Sequence, residues 1–164
     1  MKIKEFELTT IQENAFIYET HLRNVNRRRE LWKSETKEKI KHTLEAVKKN
    51  FPKINWSVHV LDSKTNFETI TLKISDSPSG ISDSSPVKGK VRQYVKKGAA
   101  MGFSQMISGK IRVWFKFPFV EDIQETEEPV KNLVIIEPTY VAENLIAGYV
   151  QQFLSDITAY ESNI

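Results

Sequence analysis

Three histidines and a scatter of carboxylates are the side chains from which a catalytic or metal site would have to be built. His21, His42 and His59 lie far apart. None stands in the His-x-x-x-His or His-Glu-x-x-His spacing that puts two imidazoles on one helix face around a zinc ion. Alternation sends His59 outward from a strand, and His42 falls off the apolar stripe of its helix, so solvated imidazoles are expected. Asp62, Asp76 and Asp83 fall in turn-rich segments, where aspartate serves local backbone geometry. Glu121, Asp122, Glu125, Glu127 and Glu128 cluster without a histidine and read as a solvated acidic loop rather than a hard-cation site. No Gly-x-Ser-x-Gly elbow and no Gly-x-x-x-x-Gly-Lys-Ser/Thr loop occurs. Gly98-Ala99-Ala100-Met101-Gly102 misses the dinucleotide pattern and reads as a tight turn between a helix and a strand. The absence of cysteine removes thiolate nucleophiles, disulfides and cysteine-ligated metals together. The sequence therefore assigns no catalytic, cofactor-binding or metal-ligating residue.

Charge supplies the one motif with a physical consequence. The net charge is only +3, but residues 84–120 carry eight basic and no acidic side chains, while residues 121–164 carry one and nine. Within the basic block, alternation along 110–117 places Lys110, Arg112, Trp114 and Lys116 on one face and Ile111, Val113, Phe115 and Phe117 on the other. A cationic face with an indole at its centre suits a polyanion: the cations neutralise phosphates and the ring stacks on a base. Lys96 and Lys97 extend this candidate surface, with Lys88, Lys90 and Arg92 before them. The competing expectation is the wet face of an antiparallel sheet, neutralised by the acidic segment that follows. Arg27-Arg28-Arg29 fan around a helix and do not form one patch.

The elements that would position these residues are legible from periodicity. Ile11, Ala15, Tyr18, Leu22, Val25 and Trp32 follow the alternating four-and-three spacing of a coiled-coil seam, with Arg29 in the gap. A helix is expected over about 11–33, opened by a Thr10–Glu13 capping box. A second, with Ile40, Leu44, Val47 and Phe51, starts at Ser34 and stops at Pro52. Unbroken, 11–50 would be about 60 Å long, so either a break near 32–34 makes a helical hairpin or the long helix must dimerise. Residues 54–60 and 67–75 alternate as a β-hairpin. Residues 75–86, with six serines, two prolines and a glycine, read as a loop. A short helix is expected over 87–97, a hairpin over 103–107 and 110–117, a buried strand over 133–136, and a final helix over about 139–160.

These readings give an α+β fold in one domain, 1–164. A mainly antiparallel sheet of about five strands is packed by a C-terminal helix, with an N-terminal two-helix element. No signal-like apolar run opens the chain and no stretch approaches a membrane span, so a cytoplasmic protein is expected. The leading expectation is a non-catalytic interaction module working through protein–protein contact, as a homodimer through helix 11–33. A nucleic-acid-binding module using 110–117 comes second, and an enzyme of unfamiliar type third.

Overall fold

The computed structural model describes residues 3–124 and 129–164. Its fold is α+β: eight antiparallel strands in two sheets, a long N-terminal helix and a C-terminal helix.

The N-terminal element is one uninterrupted helix from Glu5 to Asn50: α1 (Glu5–Leu31), a π-helical turn (Trp32–Thr36) and α2 (Lys37–Asn50). The hairpin alternative is therefore corrected to the long helix. Buried positions explain the π turn. Trp32, Thr36, Ile40 and Leu44 are all buried at four-residue spacing. In a regular α-helix each such step walks about 40° around the axis. The wider π turn absorbs part of that drift and keeps the four side chains on the core. Ser34 sits inside this turn and caps nothing. The helix also starts earlier than Thr10, whose hydroxyl donates to the Phe6 carbonyl within it. The opening N–H that needs a partner belongs to Lys4, and the Glu7 carboxylate accepts it at 3.1 Å.

The main sheet runs β1-β2-β5-β6-β8, with β1 Trp56–Leu61, β2 Thr69–Ile74, β5 Ala100–Gln105, β6 Ile111–Lys116 and β8 Val130–Ile136. A smaller sheet runs β3-β4-β7, with β3 Ser77–Ser82, β4 Gln93–Lys97 and β7 Phe119–Val120. The serine-rich 75–86 segment, expected as a loop, is thus strand over its middle half, Ser77–Ser82. The helix expected over 87–97 is a turn followed by β4. Val91 and Val95 also fit period two, and the turn decides between the readings. Lys88 (φ 52°) and Gly89 (φ 78°) form a two-residue reversal in which Val87 and Lys90 exchange both backbone bonds. Gly98 stops no helix. It joins β4 to β5, where a Cβ would lie 1.8 Å from the Ile74 carbonyl oxygen, and its N–H donates to Asp76 Oδ1 at 2.9 Å.

Inward residues Ile70, Leu72, Met101, Phe103, Ile111, Val113 and Phe115 form the core with α2 and with α3 (Glu143–Glu161), entered through a 3₁₀ turn at Pro138–Tyr140. Phe115 meets Phe153 at 5.4 Å between ring centroids, and Phe117 stacks on Tyr160 at 4.7 Å. Both helices cover one face of the main sheet. Among the described residues, no helix is long and apolar enough to cross a membrane.

Candidate functional site

Among the described residues, no three of His, Asp and Glu gather as a metal ion would need. His42 lies 3.5 Å from Glu38 on its own helix, and His59 shares a 2.8 Å hydrogen bond with Ser57 two residues before it. His21 is exposed.

The basic block divides into two groups. Lys96 pairs with Glu161 at 2.8 Å, and Lys97 lies 3.6 Å from Asp76 and 3.7 Å from Glu121. Arg92 bonds Asp122 and lies over the Tyr94 ring, 4.6 Å from its centroid. These cations belong to the smaller sheet and are matched by carboxylates, three of which come from the acidic 121–164 segment. That segment also supplies Glu137, which holds the Arg28 guanidinium through two 2.8 Å bonds. Those bonds hold the Glu137 carboxyl below its ordinary range, with help from the charges of Arg28, Lys110 and Arg27. Lys110 precedes β6 at this end of the sheet. Glu125, Glu127 and Glu128, the other expected counter-charges, lie outside the described residues.

Arg112, Trp114 and Lys116 share the outer face of the main sheet, opposite the helices. Register fixes their neighbours. Trp114 stands beside Gly102 on β5, Gly102 beside Thr71 on β2, and Thr71 beside His59 on β1. On the other side Trp114 stands beside Asn132 of β8. The indole lies directly over Gly102, where a Cβ would come within 2.2 Å of the ring. Its Nε1–H donates to Ser104 Oγ at 2.9 Å, and that oxygen also accepts from Thr69 at 2.9 Å. The plate is thereby pinned in place. Arg112 is exposed and makes no hydrogen bond or ion pair among the described residues. Sequence reasoning found Arg112, Trp114 and Lys116 from local period. It missed Gly102, Ser104, Lys73 and Asn132, because cross-strand register carries no local signal.

The second exposed surface is the first five turns of α1. Phe6 is 66% exposed, Phe16 65%, Tyr18 61% and Ile11 54%, and Leu8, Ile17 and Leu22 are exposed with them. The first buried residue of the helix is Val25. There α1 meets the body, its Val25 and Arg28 packing on the Ser108–Gly109 turn. The expected seam residues Ile11, Ala15, Tyr18 and Leu22 thus project into solvent, joined by Phe6, Phe16 and Ile17 off the stripe. Comparison with protein-family models, with curated proteins and with solved structures found no match to the chain.

Proposed function

We propose that the chain is a non-catalytic interaction module that pairs with a second copy of itself along the projecting part of α1. The observation that carries this reading is the exposed row Leu8, Ile11, Tyr18 and Leu22 on a helix whose first buried residue is Val25. An apolar row of this length costs free energy in water, and most helical stability comes from packing of an apolar face rather than from propensity.

Charge and side-chain size select the orientation. Residues 5–19 hold Glu5, Glu7, Glu13 and Glu19 and no basic side chain, whereas residues 20–33 hold Arg23, Arg27, Arg29 and Lys33 against Glu30, besides Arg28, which Glu137 already holds. Parallel pairing sets the glutamates side by side, while antiparallel pairing sets them against the arginines. In the antiparallel register Ile11 meets Leu22 of the partner subunit, and Ala15 meets Tyr18 of the partner subunit, so the smallest seam residue faces the largest. Leu8 reaches the start of the partner's body.

The lack of native cysteine makes a direct test possible. An Ile11→Cys protein mixed with a Leu22→Cys protein should form a mixed disulfide on oxidation, while neither forms one alone. The unmodified chain should sediment at twice its own mass. A monomer at high micromolar concentration overturns the proposal, and rapid disulfide formation by Ile11→Cys alone overturns the orientation.

A further inference from the structure

The geometry points to a second, independent site: the outer face of the main sheet is a stacking platform for single-stranded nucleic acid, centred on Trp114. Three features of the face carry the inference.

The first is the plate itself. Trp114 leans across β5 onto Gly102, a position where any side chain would collide with the ring. Its Nε1–H is held by Ser104, itself held by Thr69. An indole that needed only burial would lie among the apolar side chains of the other face, as Trp32 and Trp56 do at 2% and 4% exposure. Here one ring face is set on backbone and the ring cannot turn, which is how an aromatic side chain is made ready for a base.

The second is charge. The outward residues of the five strands include His59, Lys73, Arg112 and Lys116, with the exposed apolar Leu61, Val130 and Ile135 along the two edge strands, and among the described residues of this face none is a carboxylate. Lys73 lies on β2, 3.8 Å from Asp76 at the margin. Arg112 is two residues along β6 from the indole, about 7 Å away, and is unpaired among the described residues. A cation beside the plate, here Arg112, can hold the phosphate backbone of a strand whose base sits on the ring.

The third is the polar rim. Thr71 and Asn132 flank the plate in the same cross-strand row. An exposed amide offers both donors and an acceptor to the edge of a stacked base. A duplex keeps its bases stacked on one another and offers none to a flat plate, so the occupant is a single strand.

The test uses the indole as its own reporter, because the other two tryptophans are buried. Titrating the protein with a ten-nucleotide oligothymidylate in about 50 mM salt should quench Trp114 emission saturably, and about 200 mM salt should weaken binding severalfold. By anisotropy of a labelled strand, Trp114→Leu and Arg112→Glu should each bind about ten-fold more weakly. Trp114→Phe, which keeps a stacking ring, should stay within about three-fold of the parent. Absence of quenching, equal affinity for a duplex, or unchanged affinity in a folded Trp114→Leu protein would each overturn the inference.

Discussion

The projecting part of α1 and the outer sheet face are both open to water, but they are open for different reasons. An antiparallel sheet tolerates one wet face when its outward residues are polar, and Ser57, Thr71, Lys73 and Ser104 meet that condition. The face is mostly polar, with Leu61, Val130 and Ile135 exposed on it at the margins and an aromatic plate at its centre built on Gly102. The α1 arm carries Phe6, Ile11, Phe16, Ile17, Tyr18 and Leu22 exposed to solvent among the described residues. On the proposed reading, one surface takes a ligand and the other pairs with a second copy. The largest effect should therefore come from the arm. Ile11→Glu places a charge in the seam and should weaken self-association by more than about 100-fold, read by sedimentation. Helicity by circular dichroism should fall with it as the arm frays, while the thermal transition of the body stays in place. A dimer that tolerates Ile11→Glu would break the contrast drawn between the two surfaces.

A substitution on the sheet should have the converse pattern. Gly102→Val drives a side chain into the space the indole occupies, since even a Cβ falls 2.2 Å from the ring. The ring must swing off the sheet. Its emission should shift to the red, and oligothymidylate affinity should fall about ten-fold. Self-association should be unchanged, because α1 meets the body at the Ser108–Gly109 turn and not at Gly102. Coupled loss of both properties would mean that the surfaces are one site.

How much of this was legible in the sequence follows from how local each signal is. The alternation of 110–117 and the four-and-three spacing of α1 are contained within one element, so they survive into the structure. The π turn is not a local preference of Trp32–Thr36. It answers the demand that Trp32, Thr36, Ile40 and Leu44 reach one core, and that core is assembled from distant strands. The strands β3 and β4 were hidden for a related reason. A Ser-Pro-Ser-Gly-Ile-Ser run has little strand propensity of its own, and it forms a strand because it prolongs β2 beside β4 as β4 prolongs into β5. Charge was the least legible. Composition marks residues 84–120 as uniformly basic, yet Arg92, Lys96 and Lys97 meet Asp122, Glu161, Asp76 and Glu121 through contacts across 21 to 65 residues of chain. Arg112, with the same chemistry on a different sheet, has no such match among the described residues. Gly102 and Ser104 give no sequence hint that they seat an indole, because only pairing between β5 and β6 brings them under it.

The smallest expected effect lies where the two regions join. Arg28 is on α1 and Glu137 directly follows β8, so their paired 2.8 Å bonds fasten the base of the arm to the edge of the sheet. The Arg28 side chain is only 11% exposed and the Glu137 side chain 28%. Glu137→Gln should cost about 1 kcal/mol at neutral pH, or about 2–4 °C in Tm for a chain of this size. The sign of its pH dependence follows from the carboxyl. Folding holds the Glu137 pKa below its ordinary value of 4.5, chiefly through the Arg28 hydrogen bonds. Its contribution is therefore fully present above that value and is lost as pH falls through the range below it. The Tm difference between parent and Glu137→Gln should be constant from neutral pH down to about pH 5 and should shrink steadily beneath about pH 4.5. Both proteins should dimerise and bind a single strand alike at neutral pH, because neither Arg28 nor Glu137 contributes to the seam centre or to the plate. A Glu137→Gln protein that loses self-association would instead show that the arm must be held at a fixed angle to the sheet before two copies can pair.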